Sequence, residues 1–327
     1  MSSPHLIFWL AIILLGYTHV GYPILLWGWA RLRARETRAE PIEPSVSILV
    51  VAYNEATRVR ERLENLLALD YPSDRLEIVL ASDGSIDDTV ERAHPYRRAG
   101  VTVIGFNRRR GKSAVLNDLI PRCGGEIVVL ADARQRFERG ALRALVTRFA
   151  DPEVGAVSGE LILTDGPQGS AVGEGVGFYW KYEKFIRRNE SRVDSTVGAT
   201  GAIYAIRRSA FESLPKDTIL DDVLIPMRIV RRGYRVAFEP GARAYDQVAA
   251  TASVEFTRKV RTLAGNFQLF VREPWLLNPF ANRLWLQTIS HKGCRLLSPL
   301  CLAAAFGANP HVIFGAVHAH QLEVRQA

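Results

Sequence analysis

The chain has 327 residues, of which 48% are hydrophobic and 23% are charged, so it can bury a sizeable core. Its net charge of +8 suits anionic lipids or phosphorylated substrates, but no basic stripe is interleaved with aromatic residues, so we expect no nucleic-acid partner. The three cysteines, Cys123, Cys294 and Cys301, form no CxxC pair and no His/Cys cluster, which argues against a disulfide framework and a zinc site.

The N-terminal segment is strongly apolar from residue 6 to residue 30, "LIFWLAIILLGYTHVGYPILLWGWA". About 20 such residues span a bilayer, and tryptophans such as Trp9 and Trp27 near the ends are typical of membrane-interface anchors. The alternative is a buried core helix. We predict a transmembrane helix in residues 1–30.

A basic segment, "RLRARETR", follows this helix directly, whereas "MSSPH" before it has no Lys or Arg. Positively charged flanks favour the cytoplasmic side of a membrane. The pattern therefore predicts that residues 31–44 form a basic linker on the cytoplasmic side, with the N-terminus on the opposite side.

Strand-like and helical patterns alternate from Ser45 onward. Short β-branched runs predict strands over 45–52, 76–82, 101–105 and 126–131. Apolar residues at helical spacing predict helices over 55–70, 87–99 and 112–119. This alternation is typical of a parallel sheet with helices on both faces, and such sheets bind ligands outside the carboxyl ends of their strands.

Charged residues follow each of these predicted strands. The segments are "AYNEA", "SDGSIDD", "NRRRGKS" and "VVLADARQRF". Each has a simpler explanation alone, as a turn, a helix cap or a solvated loop. The third is not a P-loop, because five residues rather than four separate Gly105 from Gly111. Together they predict an edge that holds a nucleotide diphosphate and a metal ion.

Six segments in this order resemble family 2 glycosyltransferases, the group that includes cellulose, chitin and hyaluronan synthases. They are "SILVVAYNEA", "EIVLASDGSIDDT", "GKSAVLN", "VVLADA", "GATGAIYAIRR" and "ILDDVLIPMRIVRRGYRVAFEP". The resemblance implies a GT-A fold over residues 45–272, with a Rossmann-like mixed α/β sheet and helices on both faces.

The resemblance also implies residues that bind the nucleotide-sugar donor. Ala52, Tyr53 and Glu55 would line the nucleoside pocket, Asp83 would bind the base, commonly uracil, and Lys112 and Asp132 would lie near the diphosphate. Asp132 matches the first acid of the family's Asp-x-Asp motif, which holds a divalent metal, Mg²⁺ or Mn²⁺.

This sequence departs from the family pattern at two places. Arg134 replaces the second acid of Asp-x-Asp; it cannot ligate a metal, but a guanidinium can neutralise diphosphate oxygens. The alternative is that Arg134 points into solvent. In the Gln-x-x-Arg-Trp motif of processive members, Arg258 replaces Gln, Arg261 is kept and Thr262 replaces Trp. We expect Arg258 and Arg261 to meet the diphosphate or a lipid phosphate.

An acid pair, Asp221 and Asp222, matches the family's Glu-Asp pair, whose second member is the general base. Asp222 is therefore the predicted base and Asp221 its support, with ordinary helix capping as the alternative. The resemblance places Gly201 and Ala202 beside the acceptor.

The C-terminal segment, residues 273–327, is apolar again. Residues 275–290 suggest an interfacial helix, and residues 296–317 are just long enough for a second membrane span.

These features predict an inverting glycosyltransferase that moves a sugar, from UDP in the first instance, to a hydroxyl of a lipid-linked or polysaccharide acceptor at a membrane, with other subunits as further partners. Two alternatives stay open at this point. One is a non-catalytic nucleotide-sugar-binding subunit of a polysaccharide synthase complex, and the other is a single-pass adaptor that binds no nucleotide.

Overall fold

The computed structural model describes residues 3–164, 171–247 and 251–309. The strands in them are β1 (Val46–Ala52), β2 (Leu76–Ser82), β3 (Val101–Gly105), β4 (Ile127–Asp132), β5 (Arg136–Phe137), β6 (Val154–Thr164), β7 (Tyr204–Arg207) and β8 (Arg235–Gln247). They form one sheet in the order β3-β2-β1-β4-β7-β6-β8-β5.

The α-helices of the described residues lie at the N-terminus, on the two faces of the sheet and in the C-terminal segment. They are α1 (Ser3–Gly16), α2 (Tyr22–Leu32), α3 (Val59–Leu67), α4 (Thr89–Ala93), α5 (Lys112–Leu119), α6 (Ala141–Thr147), α7 (Ala171–Val193), α8 (Asp221–Arg231), α9 (Ala252–Arg272), α10 (Trp285–Thr288) and α11 (Cys294–Gly307). A π-helical turn, Tyr17–Gly21, joins α1 to α2, and another, Ile289–Gly293, joins α10 to α11.

Half of the sheet is parallel, because β3, β2, β1 and β4 all run in the same direction. Strand β1 is buried on both faces: Ile48 and Val50 pack into one hydrophobic cluster, and Leu49 packs into the other. Burial on both faces explains why its sequence is a continuous apolar run rather than an alternating one. The predicted strands over 76–82 and 101–105 and the predicted helix over 112–119 are confirmed to the residue.

The other half of the sheet is mixed. Strand β7 is antiparallel to both β4 and β6, β6 and β8 are parallel, and β5 closes the edge antiparallel to β8. The α/β GT-A architecture with a mixed sheet and helices on both faces is confirmed.

The predicted helix over 87–99 is shorter than expected. It is divided into α4 and a 3₁₀ helix, His94–Ala99, that carries Pro95 in its first turn. Proline removes a backbone donor and blocks the preceding helical turn, so the α-helix ends before it.

Within the described residues, the N-terminal helix Ser3–Leu32 is the one long and apolar enough to cross a membrane. Many of its large apolar side chains face outward, among them Leu10, Ile13 and Leu25, which are 58%, 64% and 63% exposed. A core helix of a soluble domain would bury these residues. The exposure therefore favours a membrane anchor over the alternative of a buried core helix.

A buried polar network fastens this helix to the rest of the chain. Tyr22 of α2 donates a hydrogen bond to Glu190 of α7 over 2.8 Å, and Nδ1 of His291 lies 2.8 Å from the same carboxylate oxygen. Nε2 of His291 lies 3.2 Å from both oxygens of Glu183, which Arg295 also contacts at 2.9 Å. The anchor, α7 and the C-terminal segment are thus joined through fully buried carboxylates.

The C-terminal segment is not one continuous helix in residues 275–290. It contains a 3₁₀ turn, Pro274–Leu277, and the short helix α10. Helix α11 packs against α1 and exposes apolar residues such as Leu300 and Phe306. Residues 310–317 of the predicted second span lie outside the described residues.

Candidate active site

The carboxyl ends of the parallel strands meet at one edge of the sheet. Ala52 pairs with Ser82, Val51 with Asp132, and Ser82 with Gly105, so the segments that follow β1, β2 and β3 start beside the end of β4. The sequence pattern placed its candidate binding residues on these segments, and the strand register brings them together.

Asp83 organises the loop between β3 and α5. Its side chain is 3% exposed, and its two carboxylate oxygens accept hydrogen bonds from the backbone amides of Arg110 and Gly111, both over 2.8 Å. The next residue, Gly84, has φ +67°, and a Cβ there would lie 2.3 Å from the Arg108 carbonyl carbon. The "SDG" segment therefore holds the basic loop against β2, and contact of Asp83 with a base stays a prediction.

Tyr53 and Glu55 lie at the same edge, after β1. The guanidinium of Arg109 lies 4.1 Å from the centre of the Tyr53 ring, and Glu55 forms an ion pair of 3.0 Å with Arg58. Ala52 is buried, at 1% exposure. An aromatic ring stacked on a guanidinium provides a flat, polar-edged surface of the kind that suits a nucleobase.

Lys112 joins the two halves of the predicted site. Its ammonium lies 3.1 Å from an Asp132 carboxylate oxygen and 3.1 Å from an Asp221 oxygen. Burial lowers the pKa of Lys112, but the charges of Asp132, Asp221 and Asp222 outweigh it and leave the pKa raised. Burial likewise raises the pKa of Asp132, and the nearby Lys112 more than compensates, so that the net pKa is lowered and the carboxylate stays ionised.

Asp222 has a different environment from its neighbour Asp221. Asp221 is 5% exposed and, besides Lys112, accepts a hydrogen bond of 3.3 Å from the hydroxyl of Tyr204. Asp222 accepts a hydrogen bond of 3.1 Å from the amide of Gly201 and has no ion pair within the described residues. Burial, and next the charge of Asp221, raises the pKa of Asp222 to about 6.

Neither acid acts as the side-chain cap of α8. The residue at the cap position is Leu220, and no side chain caps the helix. Both acids lie in the first turn, where the helix dipole favours negative charge. Asp222 is therefore available to a ligand rather than used up by the helix.

Arg134 turns toward a residue that the sequence analysis missed. Its Nε lies 3.0 Å from a carboxylate oxygen of Asp246 at the end of β8, and Gln135 donates a hydrogen bond of 2.9 Å to the same oxygen. The alternative that Arg134 points into solvent is not what the structure shows. Asp246 follows an interrupted strand pattern that contains Pro240 and Gly241, so no clear sequence signal marked the end of that strand.

One cavity of about 470 Å³ collects most of the predicted residues. The predicted residues along its wall are Glu55, Lys112, Asp132, Arg134, Gly201, Ala202, Asp221, Asp222, Arg258 and Arg261. Ala52, Tyr53 and Asp83 do not line it but lie at the neighbouring ends of β1 and β2. Trp180, Glu255 and Lys259 also line the cavity and were not predicted.

The donor set was compared with what a divalent metal requires. The described residues contain no group of three or more His, Cys, Asp or Glu side chains that could hold a metal by themselves. Asp132 uses one carboxylate oxygen for Lys112 and has a second one available. One carboxylate fits a Mg²⁺-type ion that is bound through one or two carboxylates plus substrate phosphates.

Comparison with protein families and curated proteins agrees with this geometry. The model described as "Glycosyl transferase family 2" matches residues 47–214. The chain is 25% identical over 234 residues to a poly-beta-1,6-N-acetyl-D-glucosamine synthase of Staphylococcus aureus (strain COL), covering 70% of this chain and 56% of that protein. It is 27% identical over 236 residues to the probable glycosyltransferase YdaM of Bacillus subtilis (strain 168), covering 68% and 55%. The chain thus spans little more than half the length of these relatives.

Solved structures share the fold. The mannosyltransferase PcManGT from Pyrobaculum calidifontis, in complex with GDP-Man and Mn²⁺, is 25% identical, with a TM-score of 0.77 over 98% of this chain and 92% of that one. TarS of S. aureus (residues 1–349, with UDP-GlcNAc) is 15% identical, with a TM-score of 0.51 over 80% of this chain and 87% of that one, a likeness in fold alone.

Proposed function

The chain belongs to glycosyl transferase family 2, and we propose that it transfers a sugar, with inversion, from a nucleotide diphosphate donor to a hydroxyl group of an acceptor. The protein is a glycosyltransferase with a GT-A fold. The donor, the acceptor and the side of the membrane are the parts that we propose.

The observation that supports this reaction most strongly is the pairing of two unlike aspartates in one cavity. Asp132 has a lowered pKa and a cationic neighbour, whereas Asp222 has a pKa raised to about 6 and no ion-pair partner in the described part of the chain. Asp132 is suited to hold charge on the donor side. Asp222 is suited to accept a proton near neutral pH.

In the proposed mechanism, Asp222 accepts the proton of the acceptor hydroxyl as its oxygen attacks the anomeric carbon. The new carbon–oxygen bond forms on the face opposite the diphosphate, and the bond to the diphosphate oxygen breaks with its electron pair. Lys112 and the arginines of α9 offset the charge of the leaving diphosphate. A divalent ion held by Asp132 and the diphosphate would add charge neutralisation there.

The donor class has support on two sides. The resemblance of "SDGSIDD" to the family pattern favours a UDP-sugar. PcManGT, which has 25% identity over nearly the whole chain, carries GDP-Man and Mn²⁺ in its structure. We propose a UDP-sugar as donor, with a GDP-sugar as the second candidate, and Mg²⁺ or Mn²⁺ as the metal.

The membrane setting is also a proposal. The outward-facing apolar side chains of Ser3–Leu32 support a membrane anchor, and the basic residues that follow it support a cytoplasmic catalytic domain. The similarity to a polysaccharide synthase supports a lipid-linked or polysaccharide acceptor and further subunits as partners.

A panel of UDP- and GDP-sugars tests the proposal. The full chain in detergent is titrated with each donor, with Mg²⁺, with Mn²⁺ and with chelator, and donor consumption is followed. We expect metal-dependent binding of one nucleotide class and slow hydrolysis of its sugar without acceptor. Binding without any turnover would support the non-catalytic subunit instead, and no binding at all would support the adaptor.

A reporter fused after Glu43 tests the orientation. We expect a reporter that works only in the cytoplasm to be active there. Activity of a reporter that works only outside the cytoplasm would contradict the proposed orientation.

A further inference from the structure

A second cavity, of about 670 Å³, lies beside the proposed donor cavity. The two cavities share wall residues, including Arg134, Asp246 and Arg258. The second cavity extends to residues of α3 and β5 that do not line the first, among them Arg62 and Arg136. None of the roles proposed above uses these two residues.

The second cavity is strongly basic. Its wall contains five arginines and two acids: Arg58, Arg62, Arg134, Arg136, Arg258, Glu61 and Asp246. Arg58 is paired with Glu55, and Arg134 with Asp246. Within the residues that the structure describes, no carboxylate lies within ion-pair distance of Arg62, Arg136 or Arg258. Three guanidinium charges around one space therefore lack a counter-charge.

Arg62 is the most telling of the three because it is 3% exposed. Its Nη1 donates to the Gln135 carbonyl over 2.7 Å and to Asn65 over 3.2 Å, and its guanidinium stacks 4.2 Å from the Phe137 ring centre. Its Nε and Nη2 have no hydrogen-bond partner in the described part of the chain.

These contacts account for only part of the Arg62 side chain. The bonds of Nη1 explain how Arg62 supports the turn between β4 and β5. They do not explain two buried, unpartnered donors, which cost free energy when no acceptor is near. Burial lowers the pKa of Arg62 to about 9, so the guanidinium stays charged at neutral pH. An anion in the adjoining cavity would offset this buried charge.

We propose that this arginine-lined cavity is a second anion-binding site, which holds a phosphate or carboxylate group while the adjoining cavity holds the nucleotide. A guanidinium recognises both kinds of group through paired N–H donors. The group could be carried by the acceptor or be a free anion. The proposal takes from the proposed function only that the first cavity is the nucleotide site.

Calorimetric titration of the full chain with inorganic phosphate tests this inference. The protein is kept in detergent at low salt and is saturated first with the nucleotide diphosphate that binds in the donor panel. We expect phosphate to bind to the nucleotide-loaded protein. Phosphate that binds only in the absence of nucleotide would show that the cavity is part of the donor site, and would overturn the proposal.

Three arginine variants locate the phosphate. Arg62→Gln should weaken phosphate binding by about tenfold or more, since a charge-assisted donor is lost. Arg136→Ala, at an exposed residue of β5, should weaken it several-fold and covers the case that Arg62→Gln fails to fold. Arg122→Ala removes one charge from an exposed residue that lines neither cavity and should change nothing. Equal weakening in all three variants would mean a general charge effect and would contradict the site.

The nucleotide affinity of the same variants separates this inference from the proposed function. Arg62→Gln and Arg136→Ala should bind nucleotide as the wild type does. If the wild type binds no nucleotide, the proposed function fails, and the phosphate titration of the three variants still decides on the second site.

Two further probes identify the source of the anion. Glucose 6-phosphate that binds more tightly than inorganic phosphate would assign the site to a phosphate on a glycan, and glucuronate would do the same for a carboxylate. Inorganic phosphate that binds as tightly as both would assign it to a free anion.

Discussion

The end of β4 and the start of α8 face the same cavity, and each presents an aspartate in a different electrostatic setting. At β4, Asp132 is 3.1 Å from the ammonium of Lys112, which keeps its pKa low. At α8, Asp222 accepts one backbone hydrogen bond, and burial raises its pKa to about 6. The same side chain is thus prepared for a permanent charge at one place and for proton transfer at the other.

Loss of Asp222 should have the largest effect on this comparison. General-base catalysis contributes about 10²–10⁴-fold to rate. Asp222→Asn should lower the transfer rate by about that factor and leave nucleotide affinity nearly unchanged, which parallel kinetics and titrations would measure. Asp221→Asn is the matched neighbour and should cost less. A larger loss in the Asp221 variant would mean that the roles of the two acids are reversed.

Loss of Asp132 should act on binding rather than on chemistry. Asp132→Asn keeps the shape but removes the charge that faces Lys112 and the proposed metal. We expect nucleotide diphosphate affinity in the presence of Mg²⁺ to fall by about 10–100-fold, because contacts to a charged group are involved. In chelator, the variant and the wild type should differ far less. Equal affinities with metal present would place the metal elsewhere.

The raised pKa of Asp222 has a consequence for stability. Its ionised form is disfavoured in the folded state, so it stabilises the fold below the ordinary pKa of 3.8 and loses this contribution as the pH rises through about 6. Asp222→Asn should therefore increase the free energy of unfolding at pH 7 by about 1–2 kcal/mol. Melting temperatures at pH 7 and pH 4 would show a gain at the higher pH alone; a loss at pH 7 would argue against a strained carboxylate.

Arg134 should give the smallest effect. Its guanidinium already pairs with Asp246 at 3.0 Å, so it has less charge to offer a diphosphate than its position in the sequence suggests. Arg134→Ala should weaken donor binding about two- to fivefold at saturating metal, in line with a partly screened ion contact. A loss as large as that of Asp132→Asn would mean that Arg134 leaves Asp246 when the donor binds.

The parallel half of the fold could be predicted from sequence because its strands are buried on both faces. The runs in β1, β2 and β3 are continuously apolar, and each ends where a charged segment starts. The mixed half carried weaker signals. Strand β8 contains Pro240 and Gly241, and β6 contains two glycines, which interrupt any alternating pattern.

The candidate site shows the same limit. Its residues could be chosen from the strand ends and the family resemblance, but their partners could not. Asp246 comes from β8, more than 100 residues after Arg134, and meets it only through the sheet. The difference between Asp221 and Asp222 depends on Lys112 and on burial, which no local pattern contains.

The pH dependence of transfer tests most directly that Asp222 is the base. We expect kcat/KM for the acceptor to be level above about pH 7 and to fall tenfold per pH unit below about pH 6, because protonated Asp222 cannot accept a proton. In Asp222→Asn the slow residual activity should lack this acidic limb, whereas Asp221→Asn should keep one. A wild-type profile that stays level down to pH 5, or an acidic limb that persists in Asp222→Asn, would contradict the assignment.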